Sequence, residues 1–417
     1  MRVHRNCCGL DVHKKTIAAC MIIEDAEGNS TREKRLFGTM TGDIHELAQW
    51  LCRAEVTAVA MEATGVYWIP VWNVLEPYGF KLLLINPEHY KAIRGRKTDL
   101  QDGQRIAELL QDGRLVGSFV PPVAIRSVRD LTRYRTRLVQ HQSAVSNRIQ
   151  KLLEQCNIKL ASVASNVLGV SAMAMLRAIA AGETNPARLA KMAKMQLRKK
   201  IPQLRLALEG CLLPHHRFLL SEMIEDLDHV AAKIGRVEQM IEQELQPFQQ
   251  AVDTWMTVPG IKQRLAWTLV AEVGPTMEPF ASAAHLVSWA GVCPGNNKTA
   301  GKRKSGTTRD GNPWLRRALC EAAWAASKTK ATYLQAQFRR LATLRGPKRA
   351  ILALANSILT AGYYMLKRGT TYRDLGPDYF DKRNVPRATK RLIKRLEALG
   401  HKVYLEPSFI TQAQTAS

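Results

Sequence analysis

The spacing of apolar residues changes period once along this 417-residue chain, at Pro121 and Pro122 in the run SFVPPVAIR. Upstream, short apolar runs of strand type alternate with helical patterns; downstream, apolar residues recur every seven positions over long stretches. A period of two suits a pleated strand and a heptad suits a helix packed along a seam, so one layer type cannot serve the whole chain. Two prolines at the switch remove backbone donors and bias the preceding residue away from helix, which places a domain boundary there.

Within residues 1–120, CCGLDVHKKTIAACMIIED reads as an apolar strand, a polar turn and a second apolar strand, and TREKRLFGTM as a third. TGDIHELAQWLCRA, from Thr41 to Ala54, is a helix with a polar N-cap. TAVAME and FKLLLIN are strands of the buried type, separated by the amphipathic helix WIPVWNVLEPYG. KTDLQDGQRIAELLQDG closes the series as a helix with Ile106, Leu109 and Leu110 on its apolar side. The plan is α/β with a mixed sheet.

Residues 121–250 read as a helical, coiled-coil linker and assembly region. One seam runs through Leu131, Leu138, Val145 and Leu152, with Arg135 and Gln142 at the partner positions; the other runs through Leu220, Leu227, Ile234 and Ile241, flanked by Met223, Val230 and Val237. An intersubunit coiled coil and an antiparallel hairpin inside one subunit both fit these heptads. Between the seams, NPARLAKMAKMQLRKK is a basic helix facing nucleic acid or solvent. Residues 251–375 form a mostly α-helical domain, in which VPGIKQRLAWTLVAEVG resembles the second half of a helix-hairpin-helix that offers backbone amides to phosphates. A basic tail, 376–417, follows.

Lys and Arg number 61 against 36 Asp and Glu, a formal charge of +25. That excess favours a polyanionic partner, since each neutralised phosphate releases counterions. Residues 291–350 alone hold fourteen Lys or Arg and two acids, more than solubility requires. The eight cysteines show no C-x-x-C spacing and read as small core residues of a reducing compartment. The start lacks a long apolar h-region and no apolar run reaches membrane-spanning length, so a cytoplasmic protein without a membrane partner is expected.

Against this positive background four carboxylates stand out. Asp11 follows the apolar run CCGL and Glu62 follows AVAM, each at the end of a strand; Asp99 and Asp102 lie at i and i+3 on one face of the last helix of the domain. Singly, each has a structural reading as a turn, surface or helix-start acid. Together, in this order of elements, they match the layout by which a ribonuclease H-like sheet holds two magnesium ions about 4 Å apart around a scissile phosphate. His13 shares the Asp11 face, where a surface or hydrogen-bonding role suits it.

The motifs CGLDVHKKT, MEATGVYW, INPEHYKAIRGRKTDLQD and VPGI…AEVG…FASAAHLVSWAGVCPGNN…AGKRKSG…GNPWLRRAL together resemble those of the DEDD-class insertion-sequence transposases, the "one-ten" and "eleven-eleven" group of bridge-RNA-guided recombinases. The resemblance covers most of the chain. It implies a RuvC-like domain whose Asp, Glu, Asp and Asp fall on Asp11, Glu62, Asp99 and Asp102 and bind Mg2+ or Mn2+. It also implies a coiled-coil linker used in dimer or tetramer assembly, and a C-terminal transposase domain whose serine attacks the DNA backbone. One subunit's carboxylates and another's serine then make a composite centre, and a structured guide RNA pairs with donor and target DNA.

One departure matters. Where the family carries a Glu-Ser-Ala/Gly tripeptide after a Gly-x-x-Pro turn, this chain reads Lys298-Thr299-Ala300. A threonine hydroxyl can attack a phosphodiester, although its β-branch restricts rotamers. Thr299 is the favoured nucleophile; Ser305, or an impaired copy of the element, are the alternatives. Lys302, Arg303, Lys304 and Arg309 in the same loop, and Arg316 and Arg317 on the next helix, suit phosphate contacts. The sequence therefore reads as a DNA recombinase that excises and inserts its element, against a Holliday-junction-type endonuclease using water, or a non-catalytic nucleic-acid-binding assembly protein. Reversing Arg316 and Arg317 to Glu is expected to weaken DNA binding and flatten its salt dependence by about one contact's slope per lost phosphate contact; an unchanged slope in a salt titration would place those arginines elsewhere.

Overall fold

The computed structural model describes residues 3–63, 65–86, 99–294, 297–299, 302–305, 308 and 311–406, and describes only the backbone at 99–101, 297–299 and 302–305. The chain divides into two compact units, Met1–Val120 and Pro121–Ser417.

In the first unit, β1 (Cys7–Val12), β2 (Thr16–Glu24), β3 (Ser30–Gly38), β4 (Ala58–Glu62), β5 (Lys81–Ile85) and β6 (Gly117–Ser118) form one sheet in the order β3-β2-β1-β4-β5-β6. β1, β4 and β5 run parallel, while β2 and β3 on one side and β6 on the other are antiparallel to their neighbours. The short β6 ends at Ser118, the first residue of the run that sequence pattern reads as a plain break. Helices α1 (Thr41–Arg53), α2 (Trp68–Leu75) and α3 (Asp99–Gln111) complete the unit. Thr41 begins α1 instead of capping it: Met40 holds the cap position, and its N–H donates to the Asp43 carboxylate at 3.1 Å.

Strand alternation divides the core into two faces. Cys8, Leu10 and Val12 of β1, with Val59 and Met61 of β4, pack against Leu47 and Leu51 of α1 and Val71, Trp72 and Leu75 of α2. Cys7, Ala58 and Ala60 face the other way, against Ile106, Ala107, Leu109 and Leu110 of α3. Cys7, Cys8, Cys20 and Cys156 are buried as small core residues, whereas Cys52 and Cys211 are exposed, so the reading of the cysteines as core holds for only part of the set.

In the second unit the two heptad helices, α4 (Val123–Gln155) and an equally long helix at Pro214–Leu245, pack on each other within the chain. Their polar contacts run antiparallel: Ser127 donates to Glu244 at 3.4 Å, Arg135 to Glu238 at 2.8 Å, and His141 lies 3.0 Å from Asp226. The hairpin alternative is therefore what the chain adopts, and an intersubunit coiled coil is not needed to satisfy the seams. Arg135, out of place in an apolar seam, is explained by its half-buried pairing with Glu238. Between the two long helices, α5 (Leu160–Val163), α6 (Val170–Ala180), α7 (Pro186–Ala190) and α8 (Ile201–Ala207) enclose a separate apolar core around Met175, Leu176 and Leu204. The long helix at Pro214–Leu245 is α9.

Beyond α9, α10 (Gln249–Met256) and α11 (Gln263–Val273) flank the Pro-Gly turn. Gly260 there has φ +88°, and an added Cβ would stand 2.5 Å from the backbone nitrogen of Ala326, so only glycine fits. α12 (Ala283–Trp289), the hairpin β7 (Asn297–Thr299) and β8 (Lys302–Ser305), α13 (Pro313–Lys328), α14 (Tyr333–Arg345) and α15 (Pro347–Arg368) follow. Trp255 is fully buried against the flat surface left by Gly362. In the tail, α16 (Tyr379–Lys382) precedes α17 (Val385–Glu397), a basic helix none of whose residues is buried. Among the described residues no helix is long and apolar enough to cross a membrane.

One fully buried carboxylate ties this unit together. Glu272 of α11 has no solvent exposure. Arg133 of α4 grips it in a fork, Nε to Oε1 at 2.7 Å and Nη2 to Oε2 at 2.8 Å, and Asn312 donates Nδ2 to Oε2 at 2.6 Å. Arg129 donates to the carbonyls of Ala271 and Glu272 at 3.0 and 2.7 Å, satisfying the open end of α11. Burial pulls the Arg129 guanidinium down to about 10, with Glu272 opposing that fall. Removing one member of such a buried pair leaves an unpaired charge, a cost of roughly 3–5 kcal/mol.

Candidate active site

Asp11 and Glu62 end neighbouring parallel strands. The β1–β4 register runs from Cys7 opposite Ala58 to Leu10 opposite Met61, so its next step sets Asp11 beside Glu62. Alternation places Cys7, Gly9 and Asp11 of β1, and Ala58, Ala60 and Glu62 of β4, on the face that α3 covers. Both acids are buried, Asp11 at 7% exposure and Glu62 at 8%.

Helix α3 begins at Asp99 and carries Asp102 in its first turn, half-buried. Two glycines determine how low it sits on the sheet. A Cβ on Gly9 would lie inside contact distance of the Gly103 carbonyl and the Ala107 nitrogen and 3.0 Å from the Ile106 carbonyl carbon; one on Gly103 would reach the Ala18 carbonyl oxygen at 3.0 Å. Backbone rests on backbone at this crossing, and the first turn of α3 is thereby brought over Asp11.

The electrostatics of Asp11 register that approach. Burial pushes its carboxyl above the ordinary value of 3.8, His13 pulls it back through charge and a 3.1 Å contact from Nε2 to Oδ2, and Asp102 and then Glu62 push it up again. Asp11, Glu62 and Asp102 are thus brought together; the side chain of Asp99 lies outside the described residues. Among the described residues no three His, Cys, Asp or Glu side chains are grouped tightly enough to be a formed metal site. Hard carboxylate oxygens brought together in this way are nevertheless the donor chemistry that suits a divalent cation such as Mg2+.

The hydroxyl candidates sit on the β7–β8 hairpin of the second unit. Thr299 pairs with Lys302, Lys298 with Arg303 and Asn297 with Ser305, with a register irregularity between Asn297 and Lys298. The side chains of Thr299, Lys302, Arg303, Lys304 and Ser305, and all of Arg309, lie outside the described residues. Arg316 is half-buried and Arg317 exposed, both near the start of α13. Trp314 beside them lies under Arg133 and Arg137, at 5.5 and 5.8 Å from the ring centre. Sequence reading passed over Gly9, Gly103, Arg133, Glu272 and Asn312. The available signals were a glycine within an apolar strand, a glycine in the first turn of a helix, and an acid in the otherwise apolar run TLVAEVG.

Two family models match this chain. One, described as a transposase, spans residues 8–158; the other, described as the transposase IS116/IS110/IS902 family, spans residues 253–339. A probable family 20 transposase of Pseudomonas aeruginosa is 27% identical over 323 residues, covering 76% of this chain and 85% of that protein. The transposase for insertion sequence element IS1111A of Coxiella burnetii is 24% identical over 379 residues, 88% of this chain and 90% of its own length. A solved chain of T. thermophilus RuvC in complex with a Holliday junction substrate covers 27% of this chain and 99% of its own, at 13% identity and a TM-score of 0.22. The protein is a transposase, an enzyme that cuts and rejoins DNA. It belongs to the IS110 family of insertion-sequence transposases.

The raised Asp11 pKa fixes the sign of a stability effect. Above its shifted pKa the ionised Asp11 opposes folding; that penalty is fully present at high pH and fades as pH falls through the shifted value toward 3.8. Metal-free Asp11→Asn should therefore melt higher than wild type at neutral pH, with the gap closing toward pH 4, as calorimetry in chelator would show. A variant that melts lower at every pH would make the carboxylate architectural. Gly9→Ala should lower the melting temperature by an overpacking cost of about 1–3 kcal/mol and remove any stabilisation by Mg2+, because α3 must lift. Gly103→Ala, with its milder contact, should do less of both; equal behaviour of both variants and wild type would contradict the crossing.

Proposed function

We propose that this transposase excises and inserts its element by two phosphodiester exchanges, with Asp11, Glu62, Asp99 and Asp102 acting on the scissile phosphate and Thr299 as the attacking hydroxyl. The observation that carries the reading is the burial of Asp11 and Glu62 at the ends of neighbouring parallel strands, with the start of α3, which bears Asp102, laid close on β1 through Gly9 and Gly103. Carboxylate oxygens gathered at one end of the sheet are hard donors of the kind that a divalent cation would join. Those acids would hold one or two Mg2+ or Mn2+ ions, which, when bound, would neutralise charge on the phosphate and favour the departing oxygen.

The chemistry assigned to this chain balances simply. The Thr299 hydroxyl gives up its proton as its oxygen bonds to phosphorus, one bridging P–O bond breaks, and the departing strand oxygen takes up a proton and leaves as a hydroxyl. A strand hydroxyl then attacks the phosphothreonine, restoring the diester and the free Thr299 hydroxyl. The net change in high-energy bonds is zero, so no nucleotide cofactor is needed. Lys302, Arg303, Lys304, Arg309, Arg316 and Arg317 would grip the backbone on either side of the break. Phosphate contacts of this kind carry no sequence information, which is consistent with sequence choice by a paired guide RNA. In this reading the centre is shared between copies of the chain in a homo-oligomer.

Trapping on a duplex carrying the element's end, with its flanking non-coding RNA, tests the assignment. Thr299→Ala should yield no protein–DNA adduct and no exchange, Thr299→Ser should retain both, and Ser305→Ala should behave as wild type. Cleavage that persists in Thr299→Ala without any adduct would favour a water-using endonuclease. Asp11→Asn, Glu62→Gln and Asp102→Asn should abolish exchange while DNA affinity changes by less than about threefold, because phosphate contacts elsewhere supply binding.

A further inference from the structure

The hairpin that carries Thr299 is rooted in the buried network of Glu272. An isolated bridge joins Pro294 to Thr308, outside the paired segments Asn297–Thr299 and Lys302–Ser305. Below that bridge the two chain ends press together: a Cβ on Gly311 would lie inside contact distance of the Gly291 nitrogen and 2.7 Å from the Ala290 carbonyl carbon. The Asn312 N–H donates to the Trp289 carbonyl at 3.3 Å. The side chain of Asn312 then works in two directions. Its Oδ1 accepts from the N–H groups of Trp314 and Leu315 at 3.0 and 3.2 Å, capping α13, and its Nδ2 donates to Glu272.

We propose that Asn312 and Glu272 are positioning residues for the Thr299 hydroxyl, fixing the base of the β7–β8 hairpin against α4, α11 and α13. The proposal rests on the reading of Thr299 as nucleophile. A cap alone asks only for an oxygen on residue 312, which Asp or Ser supplies equally well. The amide is distinguished by its second, donor end, aimed at a carboxylate already held in a guanidinium fork. A buried ion pair adds little stability over a well-packed apolar group. What the fork and the 2.6 Å amide contact do add is direction, since both have defined geometry. A nucleophile displaced by about 1 Å loses on the order of a hundredfold in rate.

The test uses the full-length protein. Asn312→Ser keeps the cap and loses the donor; Asn312→Asp keeps the cap and sets a second carboxylate against Glu272; the double variant Glu272→Gln with Asn312→Asp restores an amide–carboxylate pair in reversed order. Measured together are amide hydrogen exchange at 297–299 and 302–305, melting temperature, DNA affinity, and the rate of adduct formation on the element-end duplex. Asn312→Ser is expected to melt near wild type and Asn312→Asp lower; both, while folded, should bind DNA within about threefold, exchange hairpin amides faster, and form adduct about 10- to 100-fold more slowly. The double variant should recover part of the rate, the remainder being lost with the carboxylate end of the Arg133 fork. Unchanged hairpin exchange in both folded single variants overturns the anchoring, and a loosened hairpin with an undiminished adduct rate overturns the positioning. Adduct formed by Thr299→Ala would instead sink the nucleophile assignment, a result that the Asn312 variants cannot mimic.

Discussion

Asp11 sits where burial and two neighbouring carboxylates all favour its neutral form, with His13 opposing them. A like-charge cluster of this kind is held against its own repulsion by the rest of the fold, here by a sheet that ends two parallel strands side by side and a helix laid across them. The transposase chemistry assigned to this chain depends on that arrangement. In the proposed function, positive charge spread over the protein would bring nucleic acid near, and a local concentration of negative charge, bridged by cations, would give the phosphate a place to react.

The two units solve the same problem of placement with different materials. In the first, glycine lets α3 settle directly on β1, so steric absence sets the height of Asp102 above Asp11. In the second, a charged side chain without solvent contact draws α4, α11 and the start of α13 onto one point, so hydrogen-bond direction sets the base of the hairpin. Apolar packing determines that these elements meet. The glycines and Glu272 determine where.

Much of this was legible in the chain. The apolar runs at Cys7–Val12, Ala58–Glu62 and Lys81–Ile85 carry their strand character locally, and the i, i+3 spacing of Asp99 and Asp102 already names a helix face. The period change at Pro121 coincides with the division between the compact units. What was not legible is pairing at a distance. Heptads in α4 and α9 state that each helix wants a partner but not that each is the other's, and Arg135 looked like a flaw until Glu238, a hundred positions away, came beside it. Glu272 and Asn312 draw no notice in the sequence because their significance lies in a contact across forty positions. Gly9 carries no side chain to betray its role; only the backbone pressed against it does.

Anomalous scattering from crystals grown with Mn2+ tests the carboxylate site most directly. One or two manganese peaks are expected within about 2–2.5 Å of carboxylate oxygens of Asp11, Glu62 and Asp102. Manganese absent there, with the three side chains ordered and turned away from one another, would contradict that site.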